Sequence, residues 1–121
     1  MFDYLSEANN IAPELTALRR ALHMDPELGN HEFHTAARIE KLLNGWGIPT
    51  RRLLDTAVVG RLDGALPGPT VALRADMDAL PLAEATGADF ASRNEGVMHV
   101  MAAALGAARL LAPQHKTEII L

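Results

Sequence analysis

The pattern of apolar and polar residues predicts a helix in the first part of the chain. This helix is expected to begin with Pro13-Glu14, a favourable first helical turn, and to end near His23, because Asp25-Pro26 biases the backbone away from helical angles. Between these limits apolar residues recur at three- and four-residue spacing, which places them on one helix face. These residues are Leu15, Leu18 and Leu22.

A second amphipathic helix is predicted after the turn that follows. Asn30 is a suitable N-cap residue, and Gly47 followed by Ile48-Pro49 provides a stop. Between them, apolar residues at helical spacing form one stripe that is expected to face the core. The stripe consists of Phe33, Ala36, Ala37, Ile39, Leu43 and Trp46.

From Thr50 onward the apolar residues form short runs separated by turn formers such as Pro67-Gly68-Pro69, which is typical of strands. The runs are 53–54, 57–59 and 70–73. They predict two or three strands, with a hairpin-like connection joining 57–62 to 70–74.

The last part of the chain predicts one more helix and one more strand. Residues 97–112 are apolar nearly all round, so this helix is expected to be buried. Residues 117–121 then begin an apolar strand, and we expect a chain with such an end to be part of a larger domain, since domain termini are usually polar and exposed.

Composition excludes several function classes. The 121 residues carry a formal net charge of −4 and no basic run longer than two residues, so a nucleic-acid-binding surface is not expected. There is no cysteine, and therefore no disulfide, thiolate nucleophile or thiolate metal ligand. No apolar stretch reaches the length of a membrane span, and Asp3 and Glu7 are unlike the basic start of a signal peptide. A cytoplasmic protein without a membrane partner is predicted.

Two carboxylates follow a strand at the point where ligands usually bind in α/β folds. The segment 74–81, which contains Asp76 and Asp78, follows the run 70–73 directly, and Pro81 then interrupts the regular backbone. Their i, i+2 spacing places both on the same side of an extended segment, where they could approach a metal or a ligand histidine. The alternative interpretation is that both simply cap the loop after the strand.

The histidines are weaker candidates for metal ligands. His99 alone cannot hold a catalytic metal, which needs at least three protein ligands, and a partly buried, hydrogen-bonded histidine is the favoured interpretation. His31 and His34 are three residues apart, whereas the zincin motif needs histidines at i and i+4. They are interpreted as a solvated surface pair.

Several segments occur in a characteristic order along nearly the whole chain. They are 18–23 with 26–29, then Thr35, Ile39, Leu43 and Gly47-Ile48, then 68–81, 96–99 and 106–111. The segment 68–81 reads Gly-Pro-Thr-Val-Ala-Leu-Arg-Ala-Asp-Met-Asp-Ala-Leu-Pro. In this order the segments resemble the M20 family of metallopeptidases and amidohydrolases, the group that contains hippurate hydrolase, N-acyl-amino-acid hydrolases and auxin-conjugate hydrolases.

The resemblance implies an α/β fold, with helices packed on a mixed sheet. Residues 1–121 would form the N-terminal part of a zinc-peptidase-like catalytic domain, without the dimerisation domain and the C-terminal half. The implied reaction is hydrolysis of the amide bond of an N-acyl amino acid or a related conjugate, with two zinc or manganese ions and a glutamate base. Asp78 matches an aspartate that orients a metal-ligating group, and Asp76 is carried over beside it in the same supporting role.

The chain also departs from the family pattern. In the family, Gly-Val-Met-His continues into Ala-Cys-Gly-His-Asp-Gly-His, whose Cys and first His bind metal, whereas here His99 is followed by 100–105, Val-Met-Ala-Ala-Ala-Leu. His99 is either the histidine before the missing loop or the one that ends it, and it is the one candidate metal ligand at this point. The paired glutamates of the family do not follow the strand at 119–121 either. We therefore expect no bound metal and no activity from this chain.

A different class of function is also compatible with the sequence. The strand at 117–121 could pair with the sheet of another chain, as exposed edges do, and the apolar helix before it would then be covered in a homo-oligomer. This alternative is a non-catalytic interaction module derived from the same scaffold. A split enzyme is less favoured, because the ligand loop is missing from within the chain.

Overall fold

The computed structural model describes residues 3–99 and 117–120, and over these residues the chain is an α/β fold, as predicted. Two helices come first and four strands follow. The elements are α1 (Tyr4–Met24), α2 (Phe33–Gly45), β1 (Thr50–Leu53), β2 (Ala57–Leu62), β3 (Val71–Arg74) and β4 (Thr117–Ile120). Of the predicted helix over 97–112, the structure describes only residues 97–99. These residues are extended and not helical, and Met98 forms an antiparallel β-bridge with Leu80.

The four strands form a mixed sheet in the order β1-β2-β4-β3. β2 pairs antiparallel with β1 and with β4, whereas β3 pairs parallel with β4. The predicted hairpin-like connection between 57–62 and 70–74 is therefore wrong, since β4 lies between these two strands. Runs of apolar residues reveal where strands occur, but their neighbours in the sheet depend on pairing with a segment more than 40 residues further along the chain.

α1 begins earlier than predicted. Asp3 caps it, with its Oδ1 atom accepting hydrogen bonds from the backbone N–H of Leu5 at 3.2 Å and of Ser6 at 3.1 Å. Pro13 therefore lies inside the helix, not at its start, although proline cannot donate a helical hydrogen bond. Pro13 is exposed, so water can reach the carbonyl left unpaired. The predicted end is confirmed, because α1 ends at Met24.

α2 packs on the sheet through a narrower face than its apolar stripe suggests. Ala36, Ile39 and Leu43 are buried, but Phe33 is 51% exposed and Ala37 is also exposed. A single sheet covers only one side of a helix, so the outer members of the stripe face away from the core. The N-cap residue is Glu32, not Asn30, which adopts a positive φ of 65° in the preceding turn.

The core lies between α2 and β2, which approach each other closely at Gly60. The buried cluster consists of Leu22, Ala36, Ile39, Leu43, Ile48 and Val58. At Gly60, on β2, a Cβ atom would lie 3.1 Å from Ile48 Cγ2 and 3.2 Å from Leu43 Cδ1. The missing side chain at this position lets the helix and the following loop sit directly on the strand.

Candidate functional site

Asp76 and Asp78 lie in the corner that follows β3, and both line the same pocket, as their spacing predicts. Arg74 Nη2 donates a hydrogen bond to Asp76 Oδ1 at 2.7 Å, and both side chains are more than half exposed. Asp78 contacts the turn before α2, where a Cβ on Gly29 would lie 3.4 Å from its Oδ2 atom. Asp76 is thus already paired, while Asp78 has no hydrogen-bond partner among the described residues.

The corner is held by the backbone of the turn that follows α1. The N–H of Ala79 donates to the carbonyl of Glu27 at 2.8 Å, and Leu28 forms a parallel bridge with Ala79. On the other side, Leu80 and Met98 exchange two backbone hydrogen bonds of 3.0 Å. These contacts fix the position of Asp78 and bring residues 97–99 next to it.

His99 is buried next to the same corner, with 7% of its surface exposed. Its Nε2 atom donates a hydrogen bond to the carbonyl of Met77 at 3.1 Å. Burial lowers the pKa of His99, and electrostatic repulsion from the nearby His23 adds to this, while the Met77 carbonyl and the Asp78 charge oppose it. His99 is therefore the buried, hydrogen-bonded histidine that the sequence suggested, and its Nε2 atom is already in use.

The sequence did not single out Glu84, which the fold places against His23 on α1. Glu84 Oε2 accepts hydrogen bonds from His23 Nε2 at 3.0 Å and from the N–H of Ser92 at 2.6 Å, and its Oε1 atom accepts one from the Thr86 hydroxyl. The Thr86, Ser92 and His23 contacts together lower the pKa of Glu84 to about 2. This ionised carboxylate ties the loop before His99 to the end of α1. A glutamate near a turn is a common sequence pattern, so the sequence alone does not predict the contact between Glu84 and His23.

Glu27 caps α2 from the preceding turn. Its Oε1 atom accepts from the N–H of His34 at 3.1 Å and from His34 Nδ1 at 2.9 Å, and its Oε2 atom accepts from the N–H of Thr35 at 2.7 Å. Burial raises the pKa of Glu27, but the bonds from Thr35 and His34 outweigh it, and the pKa lies below its ordinary value. The His34 ring is 97% exposed and His31 is also exposed, in agreement with a surface pair.

The pocket beside the corner has a volume of about 360 Å³. It lies between the turn at 29–32, the start of β2 and the corner at 74–78. Glu32 lines it and is 8% exposed, yet its carboxylate accepts no hydrogen bond within the described part of the chain, and its Oε2 atom is fully enclosed. A larger cleft of about 490 Å³, next to Asp25 and Arg38, is lined by His34 but not by Asp76, Asp78 or His99.

The side chains that the structure describes do not fit a catalytic metal centre. Across residues 3–99, no three histidine, aspartate or glutamate side chains converge closely enough to hold a metal ion, whereas a catalytic zinc needs three protein ligands. In the same residues, no helix is long and apolar enough to cross a membrane.

The chain is similar to several known proteins, although no family model matches it. It is 44% identical over 110 residues to N-acetyl-L-cysteine deacetylase of Bacillus subtilis, a match covering 85% of this chain and 26% of that protein. It is 40% identical over 114 residues to thermostable carboxypeptidase 1 of Saccharolobus solfataricus, covering 88% of this chain and 29% of that protein. A match to the N-acyl-L-amino acid amidohydrolase of Geobacillus stearothermophilus has 44% identity over 92 residues, covering 75% of this chain and 25% of that protein.

A solved structure shows the same fold. A dinuclear metal-binding peptidase from the M20 family of Bacillus subtilis superimposes with a TM-score of 0.85 at 32% sequence identity. The superposition covers 93% of this chain and 35% of that protein. The chain thus spans between a quarter and about a third of the length of the relatives it matches.

Proposed function

The chain belongs to the M20 family of metallopeptidases and amidohydrolases, and we propose that it is the N-terminal portion of their catalytic domain. Its inherited reaction is the metal-dependent hydrolysis of the amide bond of an N-acyl amino acid or a related conjugate. The observation that carries this proposal is the superposition on a dinuclear M20 peptidase over 93% of the chain. The names of the deacetylase and amidohydrolase relatives support the substrate class.

Within that domain the corner after β3 supports the metal site and does not form it. Asp78 lies beside His99 and keeps a carboxylate without a hydrogen-bond partner among residues 3–99, so it can orient a ligand-bearing segment that packs against the corner. Asp76 is held by Arg74 at the same edge. In intact relatives, zinc or manganese would activate the attacking water and polarise the carbonyl. His99, if it served as a ligand, could offer only Nδ1 in the observed geometry.

We expect the 121 residues by themselves to be inactive. They contain no cysteine, and Val100-Met101 follow His99 in place of a second ligand. The bond between His99 and Met77 further removes one nitrogen from the available donors. Among the described residues, the three protein ligands that a catalytic zinc needs are therefore not assembled around His99.

The test is turnover of N-acetyl-L-cysteine by the full 121-residue chain in the presence of Zn²⁺ or Mn²⁺. The Bacillus deacetylase is the positive control, and a chelator-treated sample provides the baseline. The expected result is a rate equal to this baseline, with no tight two-site metal binding by calorimetry. Turnover that the chelator abolishes would show that the chain is an enzyme as it stands.

A second candidate function is a non-catalytic interaction module that oligomerises through a sheet edge. β4 was expected to be the exposed strand, but it is paired on both sides, and within the described residues the sheet edges are β1 and β3. The observation that favours this function is the exposure of β3, in which Val71 is 50% exposed. An apolar, uncovered edge strand can pair with a second copy.

Sedimentation over a range of concentrations tests this function. Val71→Lys should shift any oligomer towards monomer, because an edge lysine opposes strand pairing. The matched control is Leu66→Lys, at a position that is 71% exposed outside the strands and should not affect association. A wild-type chain that is monomeric at every concentration would eliminate the edge-pairing function.

A further inference from the structure

Glu32 is a buried carboxylate whose Oε2 atom has no partner among the described residues. The residue is 8% exposed, and this oxygen is enclosed and accepts no hydrogen bond there. It stands at the N-cap of α2, but the capping bonds are made by Glu27 instead. An enclosed carboxylate is unfavourable unless it is hydrogen-bonded or paired with a positive charge. Within the described part of the chain, the Oε2 atom of Glu32 therefore still lacks a hydrogen-bond donor.

The pocket that Glu32 lines carries an excess of negative charge. Asp76 and Asp78 line it as well, and the lone cationic group among the described lining residues is Arg74, which is committed to Asp76 at 2.7 Å. Glu32 and Asp78 thus remain uncompensated. A volume of about 360 Å³ is sufficient for a small organic molecule.

We propose that this pocket binds the primary ammonium group of a small molecule, with Glu32 as the acceptor of its N–H groups and Asp78 as the second negative charge. An ammonium group offers three donors and no acceptor, which suits a pocket that three carboxylates line. Asn30 and Thr56, which also line the pocket, can supply further acceptor oxygens.

A metal ion fits this pocket less well than an ammonium group. A divalent cation needs several oxygens at 2.0–2.6 Å from one point. No three carboxylate or histidine side chains among residues 3–99 meet that requirement. Hydrogen bonds from an ammonium group reach 2.7–3.2 Å and diverge from the nitrogen, so carboxylates on different walls can share one ligand. The binding site does not depend on hydrolysis, and its test involves no turnover.

The probe is propylammonium chloride, titrated into the full 121-residue chain and followed by amide chemical shifts. Tetramethylammonium chloride keeps the ionic strength constant and has the same charge without N–H donors. We expect saturable shifts at the amides of Asn30, Ala57 and Asp78, with a midpoint in the range of about 1 mM. Equal shifts with tetramethylammonium alone would reduce the effect to general electrostatics and overturn the proposal.

Glu32→Gln is the decisive variant, and Glu14→Gln is the matched control, at an exposed position on α1. Glu32→Gln should weaken propylammonium binding by about tenfold or more, as expected for loss of a charged acceptor. The control should bind like the wild type. Unchanged affinity in Glu32→Gln would refute the assignment, as would displacement of propylammonium by a lower concentration of Ca²⁺ or Mg²⁺.

Thermal unfolding provides a second readout that does not depend on spectral assignment. The ligand should raise the melting temperature of the wild type and of Glu14→Gln, because it binds only the folded state. It should leave the melting temperature of Glu32→Gln unchanged. Glu32→Gln removes an unpaired buried charge, so we expect it to fold at least as well as the wild type. Equal stabilisation of all three proteins would place the binding site elsewhere.

Discussion

Glu27→Gln is expected to lower the free energy of unfolding by about 1–2 kcal/mol near neutral pH, because Glu27 supplies the cap that α2 lacks at its own N-cap residue. Both carboxylate oxygens are used: Oε1 accepts from His34 and Oε2 from the N–H of Thr35 at 2.7 Å. Glutamine keeps one acceptor oxygen and turns an NH2 group towards the other donor. It also removes the negative charge that faces the helix N-terminus.

The magnitude follows from the two effects taken together. Losing a capping acceptor costs about 0.5–2 kcal/mol, and a charge at the first helical turn contributes about 0.3–1 kcal/mol. The Glu27 side chain is 15% exposed, so solvent screens these interactions only in part. Glutamine retains part of the capping, which places the net loss near the middle of the combined range.

The difference should depend on pH in a defined direction. The pKa of Glu27 is lowered in the folded chain from an ordinary value of 4.5, so its contribution to stability is fully present above about pH 4.5. The contribution is lost as the pH falls through the folded-state pKa. Protonated Glu27 resembles glutamine, and the wild type and the variant should then converge.

Urea unfolding followed by the fluorescence of Trp46 measures this, since Trp46 is the single tryptophan and packs against the core cluster. Glu14→Gln on α1 again serves as the matched charge control. Equal midpoints for Glu27→Gln and the wild type at neutral pH would refute the capping argument. A difference that persists unchanged at strongly acidic pH would refute the role of the charge.

Three further predictions concern the core and the loop before His99. Gly60→Ala should lower the free energy of unfolding by about 1–3 kcal/mol in the same urea assay. The new Cβ would lie 3.1 Å from Ile48 and 3.2 Å from Leu43, and both of these side chains are fully buried. An unchanged unfolding midpoint would mean that these side chains move aside, contrary to the prediction. Leu43→Ala should lower the free energy of unfolding by about 2–5 kcal/mol. The double variant Leu43→Ala/Gly60→Ala should lose less than the sum of the two single losses, since alanine at 43 removes one of the clashes with the new Cβ. Strictly additive losses would contradict the contact between positions 43 and 60. Glu84→Gln should speed hydrogen exchange at the Ser92 amide, which donates to Glu84 in the wild type. The protection of this amide in the wild type should hold above about pH 4.5 and disappear as the pH falls towards about 2, where Glu84 becomes protonated. Equal exchange rates in the wild type and the variant would show that Glu84 does not hold the loop.

The sequence predicted those parts of the fold that depend on nearby residues. The end of α1, the end of α2 near Gly47 and the extended run before Asp76 are all local effects of proline, glycine and apolar spacing. It failed at the start of α1, although the signal there is also local. Asp3 caps the helix through the N–H groups of Leu5 and Ser6, whereas the prediction began the helix at Pro13, which α1 tolerates at an exposed position.

The candidate site was predictable to a similar extent. The spacing of Asp76 and Asp78 placed them on one side, and they line one pocket, but their supporting role in catalysis stays a prediction. His99 was interpreted as hydrogen-bonded, although its partner, the Met77 carbonyl, could not be named from the sequence. Glu84 was missed, because its contact with His23 joins residues 61 positions apart.

The sequence by itself determined the kinship of the chain and the presence of α1, α2 and the four strands, because these are carried by short motifs and local periodicity. The tertiary structure decided the order of the strands, with β4 between β2 and β3, since pairing depends on residues distant in sequence. It also decided the state of each glutamate. Glu27 and Glu84 are held by donors that the fold brings to them, whereas the Oε2 atom of Glu32 is enclosed without one among the residues that the structure describes. The same side chain therefore serves as a cap, an anchor or an open acceptor according to which donors the fold places beside it.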